Sequence, residues 1–328
     1  MSSSASSTSV PVASTRDATS DAALAARRKA FRALHERGCF VIPNPWDVGS
    51  ARYLQHLGFP ALATTSAGFA FSQGLPDSGD DVVDSRDRTL AHIASITAAV
   101  DLPVSADFMS GYGLEPEDVA ESVARCVATG VAGLSIEDAT GDPMSPLYDL
   151  PIAIERVRAA REAIDRSGDD VLLTARAECY HVGHPDPVSE SVRRLQAYAA
   201  AGADVLFAPG AQNPVEIKAL VEAVAPKPLN LLVVRDIGLG VGEIAALGVR
   251  RISVGGALAL AAWTGFMRAA ETLRSKGSFA GLDSLVPYAE INGLFATDLR
   301  VDDDCGRSES FDPDNVGDIA DEGGGHRG

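Results

Sequence analysis

Eight times along the chain, a short apolar run is followed by a stretch of helix-forming residues. This alternation predicts an α/β protein with a parallel sheet, because parallel neighbours need a crossover connection between them. Eight units favour a closed (β/α)8 TIM barrel over an open doubly wound sheet, and no Gly-x-Gly-x-x-Gly follows the first strand. The strands are predicted over residues 39–43, 61–65, 103–107, 132–136, 171–175, 204–208, 229–234 and 251–254.

Segments outside the eight units define the domain boundaries. A helix capped by Asp21 is predicted before the first strand, and an extra C-terminal helix is predicted within residues 278–296. The segment 65–81 is predicted as a long loop. Residues 1–20, rich in Ser, Thr and Ala, and the acidic residues 299–328 are predicted as disordered tails. One barrel domain is therefore expected over residues 21–298.

Charged side chains stand at the ends of three successive predicted strands. Asp107 ends the third strand, Glu137 and Asp138 follow the fourth, and Arg176 follows the fifth. The carboxyl ends of barrel strands meet at one rim, where ligands bind. Two acids beside an arginine suit a divalent cation next to an anionic substrate. Capping or a loop salt bridge is the alternative for each acid, and an ion pair with Glu178 or Glu137 is the alternative for Arg176.

Neighbouring loops carry further candidates for the same rim. Thr65, Ser66 and Ala67 offer hydroxyls and backbone N–H groups for a carboxylate or an oxyanion, although ordinary loop turning also explains them. Trp46 could wall a small pocket or simply pack. Asp77 could reach a metal through water.

Two other patterns leave alternatives open. His181 and His184 form an HxxH pair without a helix to fix ligand geometry, so proton donation by His181 is favoured over zinc binding. The segment from Val254 to Ala257 resembles a barrel phosphate loop, with close strand–helix packing as the alternative that we favour.

Composition excludes several classes of function. The net charge of −17 argues against nucleic-acid binding, which needs a basic face. No apolar run approaches the roughly 20 residues that span a bilayer, and the N-terminus lacks the apolar core of a signal peptide. The four scattered cysteines include no CxxC pair and predict free thiols. We therefore expect a cytoplasmic protein with no nucleic-acid or membrane partner.

Five ordered motifs carry a resemblance to a known family. NPWDVGSA, TTSAG with GLPD, ADFMSGYG, SIEDA and TARAE follow one another within about residues 25–296. In this order and spacing they resemble the isocitrate lyase/phosphoenolpyruvate mutase superfamily. The resemblance implies a (β/α)8 barrel in a homodimer or homotetramer that exchanges its eighth helix between neighbours. It also implies Mg²⁺ (or Mn²⁺) holding a small 2-oxo or 2-hydroxy acid.

The resemblance assigns metal-binding roles to three acids. Asp107 would be the direct metal ligand, whereas Glu137 and Asp77 would act through metal-bound water. The family usually places another acid two residues after the metal-binding Asp, and Met109 stands there in this chain. Losing one outer carboxylate should weaken Mg²⁺ binding by about 10–100-fold.

The same resemblance assigns the substrate contacts. Thr65, Ser66 and Ala67 would bind the substrate carboxylate, Trp46 would line the pocket, and Arg176 would clamp the oxyanion. The loop TGDPMSPLYD lacks the K-[KR]-C-G-H segment of isocitrate and methylisocitrate lyases, and also the Lys and Asn of the mutase branch. FAPG at residues 207–210 and ARAECYH at residues 175–181 resemble the cysteine-less branch that includes oxaloacetate decarboxylases.

Three hypotheses of function follow. The first is a Mg²⁺-dependent lyase that decarboxylates an oxaloacetate-like 2-oxo acid through a metal-stabilised enolate, with water or His181 as the proton source. The second is a carbon–carbon lyase acting on a substituted malate or isocitrate-like acid. The third is a barrel that binds an acid, or serves as a scaffold, without turnover.

Overall fold

The computed structural model describes residues 18–77 and 82–296, and its centre is a ring of eight parallel strands. The strands are β1 (Phe40–Ile42), β2 (Leu62–Ala63), β3 (Val104–Asp107), β4 (Gly133–Glu137), β5 (Leu172–Arg176), β6 (Val205–Phe207), β7 (Leu229–Leu232) and β8 (Arg251–Ser253). From β2 onward each strand pairs with the next, and β8 pairs with β1. Between β1 and β2, the N–H of Ala63 donates to the carbonyl of Pro43 at 3.1 Å. The predicted (β/α)8 barrel is therefore confirmed.

Helices surround the strands, and one precedes them. They are α1 (Ala18–Glu36), α2 (Val48–His56), α3 (Ser66–Ser72), α4 (Val82–Ala99), α5 (Pro116–Ala128), α6 (Leu150–Ser167), α7 (Pro187–Ala200), α8 (Pro214–Val224), α9 (Val241–Ala246), α10 (Ala257–Lys276) and α11 (Tyr288–Ala296), with a 3₁₀ turn at Ala280–Leu282. The apolar stripe of α5 shows why they form, since Val119, Val123, Cys126 and Val127 recur at helical spacing and are buried.

Two predicted boundaries are wrong. The segment predicted as a loop from residue 65 contains α3, whose N-terminus is capped by the Thr65 hydroxyl accepting from the N–H of Gly68. Asp21 is not an N-cap, because α1 begins at Ala18 and places Asp21 in its first turn, where an acid still favours the helix dipole. The disordered N-terminal tail was predicted over residues 1–20, but residues 18–20 belong to α1, and the rest of that tail, like the predicted tail 299–328, lies outside the described residues.

The lower end of the barrel is closed by α1. Phe31 of α1 packs with Phe40, Leu172 and Val205 in a buried apolar cluster. Arg28 reinforces this closure, because its Nε donates to the carbonyl of Val131 at 3.0 Å. The opposite end, where the strands finish, remains accessible for a site.

The C-terminal helices depart from the barrel wall. Only Ala259 of α10 is buried, and large apolar side chains such as Trp263 and Phe266 are exposed. The helix α11 returns to α2, where the carbonyl of Phe295 accepts from Arg52 at 3.3 Å. The predicted exchange of a helix between neighbouring chains stays a prediction. No helix in the described ranges is long and apolar enough to cross a membrane.

Candidate active site

The strand register brings the predicted rim residues together. Glu137 on β4 lies opposite Arg176 on β5, and Asp107 lies on the adjoining strand β3. Arg176 Nη1 is 3.1 Å from Glu137 Oε2 and 3.7 Å from Asp107 Oδ1. Arg176 Nε donates to Glu178 Oε1. One guanidinium therefore joins three carboxylates, and the ion pairs considered as the alternative role of Arg176 are present.

These contacts determine how the cluster is charged. Burial opposes the charge of Arg176, but Glu137, Glu178 and Asp107 together raise its pKa above the ordinary value. Burial alone would also raise the pKa of Glu178, but Arg176 and His181 bring it below the usual range. Arg176 and Glu178 therefore form a charged pair.

Glu137 is the carboxylate with the least compensation. Among the described residues, its buried Oε2 atom accepts no hydrogen bond, although Arg176 Nη1 lies 3.1 Å away. Burial raises the pKa of Glu137 to about 8. Burial and the charge of Asp107 also raise the pKa of Asp77. An additional cation near these acids would favour their ionised forms.

The arrangement suits a divalent cation held mainly through water. Within residues 18–77 and 82–296, no three carboxylate, imidazole or thiol groups lie close enough to ligate one ion together. Mg²⁺ commonly takes one or two protein carboxylates and keeps several waters. Asp107 as the direct ligand, with Glu137 and Asp77 behind water, stays a prediction, and the orphaned Oε2 of Glu137 is an acceptor that such a site would use.

The segment before α3 fixes the position of Asp107. The N–H of Ser66 donates to Asp107 Oδ2 at 2.9 Å, and the N–H of Asp107 donates to the Thr64 hydroxyl at 2.9 Å. The side chain of Thr65 caps α3, so it is already used within the loop. The predicted carboxylate cradle is thus adjacent to the predicted metal ligand.

Two neighbouring cavities open at this rim. One, of about 310 Å³, is lined by Thr65, Ser66, Ala67, Asp77, Asp107, Arg176 and His181 among others. The other, of about 330 Å³, shares Ser66, Asp77 and Arg176 and adds Glu137, Met109 and Tyr148. Eight of the nine predicted site residues therefore line one cavity or both. The ninth, Trp46, lines neither: it is half-buried, with its Cβ close to Gly68.

Behind the rim lies a second cluster of charged side chains that was not predicted from the sequence. Asp138 Oδ1 accepts from the N–H of Glu178 at 2.8 Å, while its Oδ2 accepts from Arg194 and from the hydroxyl of Tyr198. Glu178 Oε2 in turn contacts His181 Nδ1 at 2.7 Å. The acid pair after β4 could have suggested two roles, but nothing in the sequence pairs Asp138 with α7.

Two weaker sequence patterns can now be assigned. His184 Nδ1 accepts from the N–H of Asp186 at 3.2 Å, so the histidines of the HxxH pair have separate partners. The N–H groups of Val254 and Gly255 donate to the side-chain oxygen of Asn44 at 2.9 and 2.8 Å. That contact occupies donors that a phosphate loop would need, and it agrees with the packing role for this segment.

Comparisons with known proteins show which chains this one is similar to. A family profile described as phosphoenolpyruvate phosphomutase matches residues 31–274. A crystal structure of a candidate lyase/mutase from Burkholderia cenocepacia J2315 is 47% identical, with a TM-score of 0.80, and covers 84% of this chain and 98% of that one. The 2-methylisocitrate lyase of Escherichia coli is 32% identical over 55% of this chain and 60% of its own length. An oxaloacetate decarboxylase of Paraburkholderia xenovorans is 28% identical over 60% of this chain and 66% of its own.

Proposed function

Because the chain belongs to the isocitrate lyase/phosphoenolpyruvate mutase superfamily, an enzyme family of carbon–carbon lyases and mutases, we propose that it decarboxylates a small, oxaloacetate-like 2-oxo acid with Mg²⁺ or Mn²⁺. The observation that carries the proposal is the rim cluster in which Arg176 lies between Asp107 and Glu137, whose Oε2 lacks a hydrogen bond. This cluster combines excess negative charge for a cation with a fork-shaped donor for a carboxylate or an enolate.

Each rim residue has a role in this proposal. Asp107 would hold the cation directly, and Glu137 and Asp77 would hold it through water. The cation would supply a Lewis acid to polarise the 2-oxo group. Arg176 orients the substrate and stabilises negative charge on its oxygen as that charge develops. Ser66 supports Asp107 through its backbone N–H.

Decarboxylation needs little more than this cluster. The bond between C3 and the departing carboxylate breaks, CO₂ leaves, and the electron pair remains as an enolate that must then be protonated at C3. The loop 139–149 carries no Cys, Lys or His to act as the acid. His181 lines the cavity and is paired with Glu178, so it or a water molecule supplies the proton.

Two observations favour decarboxylation over cleavage of a larger acid. The match to an oxaloacetate decarboxylase supports the substrate class. The second observation is the loop 139–149, which carries no Cys, Lys or His to act as the acid that carbon–carbon cleavage needs. Cleavage of a substituted malate remains the second candidate, supported by the match to 2-methylisocitrate lyase, but it would need another acid. We also propose that the enzyme works in the cytoplasm as a homo-oligomer.

The test is oxaloacetate turnover with and without Mg²⁺ in the parent protein and in Asp107→Ala. Asp101→Ala is the matched control, because Asp101 is an exposed aspartate before the opposite end of β3. We expect Asp107→Ala to lose roughly 10²–10³-fold in rate and Asp101→Ala to keep full activity. Equal rates in all three proteins would mean metal-catalysed background and would rule the proposal out. A thermal-shift panel of 2-oxo and 2-hydroxy acids, with and without Mg²⁺, would then show whether the pocket binds any acid of this class.

A further inference from the structure

The lumen of the barrel beneath the rim is unusually polar. Side chains of Ser105, Ser135, Asn230 and Ser253 line the same 310 Å³ cavity as Asp107. Barrel interiors are usually filled by branched apolar side chains. A polar cavity instead favours water or a polar ligand over a dry packed core.

The most unusual residue of this lumen is Arg251 on β8, which is only 5% exposed. Its Nε donates to the side-chain oxygen of Asn230 at 2.8 Å, and Nη2 donates to the hydroxyl of Thr174 at 3.1 Å. Nη1 lies 3.5 Å from His35 Nε2. All three partners are neutral acceptors, and a guanidinium has more N–H donors than three. In the described part of the chain, no carboxylate forms an ion pair with Arg251.

The neutral state of His35 follows from its own contacts. His35 Nδ1 lies 2.8 Å from the carbonyl oxygen of Phe31, so Nδ1 carries the proton and Nε2 accepts. Burial, together with the Arg251 cation, lowers the pKa of His35 to about 3. Burial also lowers the pKa of Arg251 to about 9, so its guanidinium stays charged at neutral pH. The lower end of the lumen therefore carries a net positive charge.

A buried charge without a counter-charge is costly, and proteins normally supply a partner or a ligand. Arg251 has no carboxylate partner within residues 18–77 and 82–296, yet it lines a cavity that is continuous with the rim. From this geometry we infer that the lumen is an anion subsite, in which the guanidinium of Arg251 and the side chain of Asn230 bind one small anionic group.

Two sources can provide that group: a carboxylate carried by the rim ligand, or a free halide. Thr174 lies two residues before Arg176 on β5 and contacts Arg251, so the two arginines are about one barrel layer apart, roughly 7 Å along the strand. A four-carbon dicarboxylate has comparable length. The subsite itself depends only on Arg251 and its surroundings, and it does not rest on the proposed reaction.

The test is a thermal-unfolding titration with sodium formate and sodium bromide, at constant ionic strength set by a bulky sulfonate. Saturable stabilisation of the parent protein is expected, by roughly 3–5 °C at about ten times Kd. Arg251→Met should abolish this shift, and it should fold, because an apolar residue replacing an unpaired buried charge is often neutral or stabilising. Arg250→Met is the control, since the side chain of the partly exposed Arg250 donates to the Gly38 carbonyl at 3.1 Å, and this variant should respond like the parent.

Equal shifts in all three proteins, or no shift in the parent, would overturn the inference. If Arg251→Met does not fold, parent crystals soaked in bromide decide the matter: anomalous density beside the guanidinium supports the subsite, and its absence overturns it.

A competition experiment then identifies the source of the anionic group. If bromide weakens binding of succinate but not of pyruvate, the subsite takes the second carboxylate of a ligand. If bromide weakens neither, a resident halide occupies it.

Discussion

Met109 has a left-handed backbone conformation, with φ of 48°, two residues after Asp107. Such a conformation costs roughly 1–2 kcal/mol for most residues other than glycine, whereas Asp and Asn tolerate it better. The loop is held in place because the carbonyl of Met109 accepts from the N–H of Glu137 at 2.9 Å. Met109 also lines the cavity that contains Glu137. Met109 thus has a strained backbone at the position where the family usually carries an acid.

The first prediction concerns this position. Met109→Asp should strengthen Mn²⁺ binding by about 10–100-fold, because it adds an outer carboxylate and relieves the backbone conformation. Isothermal titration of Mn²⁺ measures the change. Met144→Asp serves as the control, since Met144 is 89% exposed in the loop after β4. An unchanged Kd in Met109→Asp would show that the position lies too far from the cation.

The second prediction is a pH dependence of stability that arises at His35. Its pKa is about 3 in the folded protein and near 6.5 in the unfolded chain. As the pH falls below 6.5, the unfolded chain takes up a proton that the folded protein does not. The contribution of His35 should therefore lower the free energy of unfolding by about 1.4 kcal/mol for each pH unit between pH 6.5 and 3.

The measurement is denaturant unfolding at pH 7.0, 6.0 and 5.0. His35→Gln keeps a donor and an acceptor but does not titrate, so its loss of stability toward acid pH should be smaller than in the parent. His56→Gln changes an exposed histidine and is the control. Equal slopes in the parent and in His35→Gln would refute the assignment.

Single residues show where sequence reasoning succeeded and where it failed. Asp107 and Arg176 were found because each is charged and ends an apolar run. Arg251 begins the last strand, and no pattern in the sequence indicates that its side chain enters the lumen. Asn44 follows the first strand, but its side-chain oxygen accepts hydrogen bonds from Val254 and Gly255, which follow the last strand. These bonds connect the two strands that close the barrel. Such long-range contacts have no local signal.

Among the elements, α1 precedes the first strand and also contributes a buried side chain to the core of the barrel. Its residue Phe31 is fully buried and approaches β4 so closely that a Cβ on Gly133 would lie 2.7 Å from the Phe31 ring. The absence of a side chain at residue 133 therefore makes room for the aromatic ring. The helix seals the lumen below Arg251 and supplies His35.

The third prediction tests this closure. Phe31→Ala should cost about 3–5 kcal/mol of unfolding free energy, because the cavity it leaves is walled by strands that cannot collapse. Phe279→Ala removes a ring that is 73% exposed and should cost little. Urea unfolding of both variants measures the difference. A loss below about 1 kcal/mol in Phe31→Ala would mean that α1 is not part of the core.

Most elements followed from periodicity, since apolar runs and amphipathic helices alternate so regularly. The exception is α3, whose sequence SAGFAFS is short, includes glycine and shows no amphipathic pattern. It forms because Thr65 caps it and because Gly68 lets the backbone approach Trp46, where a Cβ would come within 2.7 Å. The Thr65 cap is local, but the close approach to Trp46 is a tertiary contact without a sequence signal, which explains why the segment was predicted as a loop.

For the whole molecule, the exposed face of α10 is the clearest departure from a self-contained barrel. Phe266 and Met267 are each 62% exposed, and Trp263 is 38% exposed. An apolar surface of this kind marks an interaction site. It agrees with the predicted homo-oligomer, in which this helix would pack against a neighbouring chain.

The fourth prediction is that the parent protein is a dimer or tetramer and that Trp263→Glu with Phe266→Glu shifts it toward the monomer. Light scattering coupled to size-exclusion chromatography measures the mass. Ser275→Glu adds charge at an exposed position near the end of the same helix and should not change the mass. A parent protein that is already monomeric at micromolar concentration would rule out this interface.

The proposed activity depends most directly on a cation held by Asp107. Electron paramagnetic resonance of free Mn²⁺ can count bound ions without any assumption about substrate. We predict one Mn²⁺ per chain in the parent and in Asp101→Ala, about 10–100-fold weaker binding in Glu137→Gln, and no binding in Asp107→Ala. Undiminished Mn²⁺ binding in Asp107→Ala would contradict the account.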